Sequence, residues 1–351
     1  MIKILPLLVL LCSMLVSTHV SAQEKSSFKI CWSIYVGWMP WAYGAEKGIV
    51  KKWADKYDIE IEVVQINDYI ESINQYTAGS FDACTMTNMD ALTIPSAGGI
   101  DTTALIVGDF SNGNDGIIIK GDGGLASLKG QNVNLVELSV SHYLLARALE
   151  TVGLRESDLK VVNTSDADMV AAYSSGEISS LVTWNPMLNE IASMPGANKV
   201  FNSAQIPGEI IDTLMVNTDV LAANPDFGKA LVGAWYEIMS HMQPESAMSE
   251  AARTYMGVAS GTDLEGYNAQ LAFTEMFYTP AQAIDLLHSD ELLSTMQSVA
   301  EFSFDHGLLG EGAPDAGFIG IETPTGVFGN KGNIKLRFDP TYIQMAADGK
   351  L

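Results

Sequence analysis

Short apolar, β-branched runs alternate with stretches of helical spacing through the first two thirds of the chain. The strand-like runs are Lys29–Ile34, Ile59–Val64, Ala83–Thr87, Thr103–Val107 and Gly116–Ile119. A glycine-rich stretch, Lys120–Gly124, then breaks the pattern. A second set follows at Asn132–Leu138, Leu159–Val162, Ser180–Thr183 and Lys199–Phe201. Strands separated by helical patterns predict βαβ units and mainly parallel sheets. The two sets also resemble each other. Val63-Val64, Asp68, Gly79 and Asn88 have counterparts in Val161-Val162, Asp166, Gly176 and Asn185, and from the glycines onward the spacing is a constant 97 residues. Each copy reads strand, polar loop, helix (Ile70–Thr77, Met169–Ser175), glycine stop, strand. The expected fold is therefore α/β, with two similar lobes, each a mainly parallel sheet flanked by helices, and a cleft between them. The first lobe is expected from residues 23–118 and 212–351, and the second from 119–211.

Beyond Ile211 the spacing turns helical, over Asn224–Met242, Glu245–Tyr255, Leu264–Phe277, Pro280–Leu287 and Leu292–His306. Gly307–Lys331, rich in Gly, Pro and Thr, reads as loop, Ile334–Phe338 as a last edge strand and Thr341–Ala347 as a short helix. These elements most simply return to cover the first lobe.

The richest local pattern is Phe28–Lys52. A strand runs into the aromatic loop Val36-Gly-Trp-Met-Pro-Trp41 and then a helix from Ala42. This places Tyr35, Trp38 and Trp41 at a strand's carboxyl end, where open α/β sheets bind ligands. Their flat, weakly hydrated faces suit a small cationic or planar solute. A hydrophobic plug beneath a loop would use the same residues.

Composition sharpens the picture at three points. Lys3, the apolar run Ile4–Val16 and the small residues Val20-Ser-Ala22 read as a secretory signal peptide cleaved after Ala22, too short for a membrane span. Cys12 lies inside that apolar run without small residues before it, a poor site for a lipid anchor. The net charge is −23, which disfavours nucleic acid and anionic lipid as partners and attracts cations, although acidity for solubility alone is common. Only Cys31 and Cys84 follow the signal, so no disulfide framework is expected, and the two read as buried thiols on neighbouring strands.

Tyr35–Gly48, Gly79-Ser-Phe-Asp-Ala83, Leu128-Lys-Gly-Gln-Asn-Val133, Gly153-Leu154, Ala171–Ser180 and Trp184-Asn-Pro186 resemble the periplasmic substrate-binding proteins of ABC transporters, in the branch holding nitrate, sulfonate and taurine binders and the thiamine-pyrimidine proteins. Within it, Tyr35-Val-Gly-Trp-Met-Pro-Trp41 and Leu336-Arg-Phe-Asp339 look like the subgroup encoded beside urea-carboxylase-type enzymes. The resemblance implies a periplasmic, monomeric solute binder without cofactor, metal or catalytic role. It would deliver a small nitrogenous solute such as guanidinium or urea to a membrane permease. An alkylsulfonate, taurine or nitrate binder is the alternative within the branch; a secreted enzyme or pyrimidine-related protein on the same fold is the alternative outside it.

A two-lobed binder takes its ligand from strand ends on both sides of the cleft. The candidates are Tyr35, Trp38, Trp41, Thr87, Asn88 and Asp90 in the first lobe and Glu137, Ser139, Ser141, His142, Trp184 and Asn185 in the second, with Glu209 and Asp212 on the hinge side. Guanidinium is planar and carries only donors, so it calls for carboxylates and a ring face. Asp90, Glu137, Glu209 and Asp212 supply the former, Trp38 and Trp184 the latter. Helix capping also accounts for Asp90 and Ser141. No Arg or Lys stands near these strand ends except Arg147, within a helix, which disfavours an anion. Asp109–Gly116 has the look of a calcium loop but lacks its ligand alternation and reads as a turn. No nucleophile elbow, zincin motif or phosphate loop occurs, and the histidines lack metal spacing.

Overall fold

The structure, a computed structural model, describes residues 25–351; the expected signal peptide lies outside the described residues. Fourteen strands are found among them. In chain order they are β1 (Ser27–Trp32), β2 (Glu60–Gln65), β3 (Ala83–Thr87), β4 (Thr102–Ser111), β5 (Asp115–Lys120), β6 (Asn132–Leu135) and β7 (Lys160–Asn163). After these come β8 (Ser180–Trp184), β9 (Ala197–Asn202), β10 (Ile211–Asn217), β11 (Thr274–Met276), β12 (Gly320–Thr323), β13 (Gly326–Phe328) and β14 (Ile334–Phe338).

They form two sheets. The first runs β13-β12-β14-β4-β10-β3-β1-β2 with β11 added beside β4, and the second runs β7-β6-β8-β5-β9. The βαβ units give the parallel pairs β1–β2, β1–β3, β6–β7 and β6–β8. β5 and β10 are each reached directly from the other lobe, and both pair antiparallel to their neighbours. The lobes are thus joined by the short β4–β5 and β9–β10 passages.

The repeat is visible in the backbone. Helix Tyr69–Thr77 ends at Gly79 (φ 81°) and its counterpart Asp166–Ser174 at Gly176 (φ 79°). A left-handed glycine stops both helices. The Asp68 carboxylate caps the first by accepting the Glu71 N–H at 2.9 Å.

Several expectations are corrected. Gly116–Ile119 belongs to the second sheet, because β5 pairs with β8 and β9; the first passage between lobes is therefore at Asn112-Gly113-Asn114, ahead of the glycine-rich stretch. The helix expected from Ala42 to Lys52 is two, Met39–Glu46 and Ile49–Lys56, split where Gly48 turns left-handed (φ 70°). The helix over Leu264–Phe277 stops at Leu271, and Thr274–Met276 becomes β11 against the end of β4. Ile334–Phe338 is an interior strand between β12 and β4, and the expected loop before it contains the β12–β13 pair that covers it. Local propensity is weak in these segments, and a free sheet edge decides. Cys31 and Cys84 face each other in the β1–β3 register and are joined as a disulfide rather than being free thiols. Helix Pro225–Met242 packs on Ile49–Lys56 and on the short C-terminal helix Thr341–Ala347, so the carboxyl-terminal elements do cover the first lobe. No helix of the described residues is long and apolar enough to cross a membrane.

Candidate functional site

The strand ends of the two lobes meet around a small cavity of about 10 Å3, room for the centre of about one water-sized sphere. Tyr35, Trp38, Tyr69, Thr87, Ile210 and Asp212 enter it from the first lobe. Asp115, Val140 and Trp184 enter from the second. Thr87 and Trp184 occupy equivalent positions of the two copies, each ending the last strand of its unit, β3 and β8. The sheet topology alone brings them to the cleft.

The walls are aromatic. Tyr35 and Trp38 meet edge to face at 4.9 Å, Trp38 and Tyr69 lie 5.6 Å apart, and Tyr69 meets Trp184 edge to face at 5.5 Å. All four rings are at most 5% exposed. The lobes are in contact here. Trp184 Nε1 lies 3.4 Å from the Ile34 carbonyl, Ser165 donates to Asp68 at 3.0 Å, and the Tyr69 N–H faces Asp166 at 3.4 Å. Asp68 and Asp166 are repeat counterparts, so each copy engages the other at the same point.

The floor is acidic. Asp212 on β10 stands opposite Asp109 on β4 in register. The Tyr35 hydroxyl donates to Asp109 Oδ1 at 2.7 Å, and Gly37 allows the loop this close. A Cβ there would sit 2.4 Å from Asp109 Oδ2 and 2.6 Å from the Tyr35 ring. Asp115 accepts from Ser111 Oγ at 2.5 Å, and Ser203 Oγ lies 2.6 Å from the same hydroxyl, so this carboxylate is tied to both passages between the lobes. One layer back, Asp90 accepts from Tyr69 (2.6 Å) and Thr87 (2.9 Å).

All four carboxylates are buried, and Asp90 Oδ1, Asp109 Oδ2 and Asp212 Oδ2 have no hydrogen-bond partner. Burial pushes Asp109 and Asp115 up to about 7 and Asp90 up to about 6. Burial, reinforced by the charges of Asp109 and Asp115, carries Asp212 well above the carboxylate range. Among the described residues no Lys, Arg or His lines the cavity. Buried acids are ordinarily paired with a cation or bonded on every lone pair. These are neither.

The other expected residues lie elsewhere. Trp41 packs on Trp235 beneath the cavity (5.3 Å), in the core. Asn88 ties the second passage, donating to the Glu209 carbonyl (3.1 Å) and accepting from the Ile211 N–H (3.1 Å). Asp90 is not the expected N-cap, since Thr87 caps that helix. Ser141 is not one either; Ser139 caps Val140–Thr151. Asn185 accepts from the Asn189 N–H at 3.0 Å and starts a helix. Glu137 is exposed at the cleft mouth.

Glu209 already has its cation. Arg147 Nε and Nη2 donate to it at 2.9 and 3.0 Å, and Tyr143 at 2.5 Å. His142 belongs to a group with Glu156 and His306 whose ligand atoms lie within 4.8 Å of one another. The Leu138 N–H donates to His142 Nδ1 (3.1 Å), so the Nε2 that faces Glu156 at 3.0 Å carries the proton and offers no lone pair to a metal. His306 faces the Phe302 carbonyl (2.8 Å) and Glu156 (2.8 Å), two acceptors that favour its doubly protonated form.

Sequence reasoning missed Tyr69, Asp109 and Asp115 as site residues, having assigned the last two to a turn. The available signal was an acid closing the otherwise apolar strand Thr102–Gly108.

Two sheets joined by two passages, with a site at the facing strand ends, define the two-lobed periplasmic-binding-protein fold. The alkanesulfonate-binding protein from Xanthomonas axonopodis pv. citri bound to MOPS shares it, with a TM-score of 0.67, 17% identity and coverage of 83% of this chain and 96% of that one. So does the periplasmic nitrate-binding protein from Synechocystis PCC 6803, with a TM-score of 0.63, 15% identity and coverage of 84% of each. The profile of the NMT1-like family matches residues 21–256, and the chain belongs to that family. A putative aliphatic sulfonates-binding protein from Escherichia coli (strain K12) is 23% identical over 181 residues, 48% of this chain; the match spans about half of that relative's length, 55%.

Proposed function

We propose that this protein is the periplasmic, monomeric solute-binding component of an ABC importer. It closes its lobes over a small planar nitrogenous cation, guanidinium fitting best, and passes it to a membrane permease without chemical change. The fold and family support the binding role. The cation reading rests on one observation, the buried carboxylates Asp109, Asp115 and Asp212 gathered under aromatic walls with no cation among them. A guanidinium ion presents donors in its plane and weakly hydrated faces above and below, matching carboxylates at the floor and Trp38, Tyr69 and Trp184 around it. Asp115 links occupancy to the passages through Ser111 and Ser203, so a cation held there favours the closed arrangement.

The names of the relatives favour the alternative of a sulfonate or nitrate ligand. An anion would find no positive partner and would require all three desolvated acids to stay protonated, a demand that grows as pH rises. Calorimetry with guanidinium, methylguanidine, urea, taurine and nitrate decides between them. Guanidinium is expected to bind saturably and remain intact; tight taurine or nitrate binding with no guanidinium signal overturns the cation reading, and turnover of the solute overturns the binder reading.

A further inference from the structure

Resting on the cation reading, we infer that the site takes its ligand in exchange for a proton shared among Asp109, Asp115 and Asp212, and that this exchange selects a permanent cation over its neutral isostere urea. The geometry calls for a proton in this site. Asp109 and Asp212 are buried register partners on adjacent strands, and each leaves one oxygen, Asp109 Oδ2 and Asp212 Oδ2, without a hydrogen-bond partner. Two ionised carboxylates so placed, desolvated and unanswered by a cation, repel each other, so at least one of them holds a proton. Asp115 is a third acid acting on both.

The titratable surroundings hold nothing that would replace that proton. Asp109 is faced by Tyr35 from the aromatic loop, by Asp212 from β10 and by Asp115 from β5, with Tyr267 and Tyr278 farther out. Asp115 is faced by Ser111 and, at longer range, by Asp90. Arg253 stands behind Tyr278, donating to its hydroxyl at 3.2 Å. Among the described residues no cation touches the three acids. Like charges at this spacing in a desolvated site hold protons until an opposite charge arrives. When guanidinium enters, its N–H groups take over as donors, one carboxyl proton leaves to solvent, and the net charge of the site is conserved. Urea brings a similar planar shape but no charge, so it cannot displace the proton and gains no charge–charge attraction with the acids.

The test is calorimetry of guanidinium chloride binding at fixed ionic strength from about pH 5.5 to about pH 8.5, in phosphate and in Tris, whose ionisation heats differ. Guanidinium stays charged throughout this range. The expected result is an affinity that rises about tenfold per pH unit below about pH 7 for each proton released, with a heat difference between buffers that reports release of about one proton near neutrality. Urea is expected to bind at least about a hundredfold more weakly with no buffer dependence. Asp115→Asn, which keeps the Ser111 hydrogen bond acceptor, should bind guanidinium more weakly with a flatter pH profile. Guanidinium binding that is equally tight across the range, with equal heats in both buffers, overturns the exchange while leaving the cation reading intact. Urea binding as tight as guanidinium overturns the selectivity. No guanidinium heat at any pH removes the cation reading and the exchange together.

Discussion

Glu209 and Asp212 lie three residues apart on the same passage between the lobes, and their surroundings are opposite. Glu209 accepts from two in-plane N–H groups of the Arg147 guanidinium, Nε and Nη2, and from the Tyr143 hydroxyl. Asp212 receives neither a cation nor a full set of donors, and its closest charged neighbour is another acid. The first arrangement is complete within the protein and ties helix Val140–Thr151 to the passage. The second is incomplete, and what it lacks is what Arg147 supplies to Glu209: a planar cation with donors in its plane. A buried acid thus reports structure or ligand demand according to whether its partner is already on the chain.

The largest expected effect breaks the incomplete side. Asp212→Asn should weaken guanidinium binding by about 2–5 kcal/mol, because the ligand's donors and charge go unmet in a desolvated site. The free protein should melt no lower, since a buried unpaired acid has been removed. Calorimetry and a thermal melt of the same sample check both; unchanged affinity would place the site elsewhere.

Arg147→Ala breaks the complete side and should behave in reverse. It strands Glu209, which is still one-fifth exposed, and should lower stability by about 1–3 kcal/mol in a chemical denaturation, with a smaller change in guanidinium affinity. Trp38→Leu removes one ring face while keeping the site apolar, and should cost about 1–2 kcal/mol of affinity. A loss as large as that of Asp212→Asn would mean that stacking, rather than charge, dominates.

The smallest effect concerns pH. The folded pKa values of Asp90, Asp109, Asp115 and Asp212 are raised by burial, so their stabilisation of the free protein is complete below the ordinary carboxylate range. It is lost as pH rises through about 6 to 7. His306 is also raised, by its hydrogen bond to Glu156. It adds stability below its ordinary value and loses it as pH climbs past the folded one. Burial pushes Glu156 up, but hydrogen bonds from His142 and His306 outweigh this and hold it at about 2; its contribution disappears only toward that pH. The melting temperature without ligand should therefore fall gently from about pH 5 to about pH 8, and the increase produced by guanidinium should grow over the same interval. A ligand-induced increase that shrinks with rising pH would contradict this assignment of signs.

The aromatic loop, the two strand–helix–strand copies and their glycine stops could be read from residue order because they follow local rules. A strand entering a loop of large rings, a helix capped by Asp68 and a left-handed residue at Gly79 and Gly176 each depend on neighbours a few positions away. Tyr35, Trp38 and Trp184 fell within reach of the same logic, since strand carboxyl ends converge whenever two parallel units face each other, and Asp212 through its place on the passage between the lobes.

The pairings came from tertiary structure. Whether Glu209 or Asp212 would find a cation depended on where helix Val140–Thr151 places Arg147, a separation in sequence that no local pattern encodes. Asp109 and Asp115 looked like turn residues because their neighbours, Ser111 to Asn114, are turn residues; only the sheet register sets Asp109 against Asp212. Ile334–Phe338 became an interior strand because β12 and β13 close over it, and Cys31 met Cys84 because β1 and β3 pair at that position. Sequence by itself determined the two α/β units and the rings between them, through short-range conformational preference and hydrophobic period. The fold decided which charges are answered within the chain, because burial and pairing depend on contacts between distant segments.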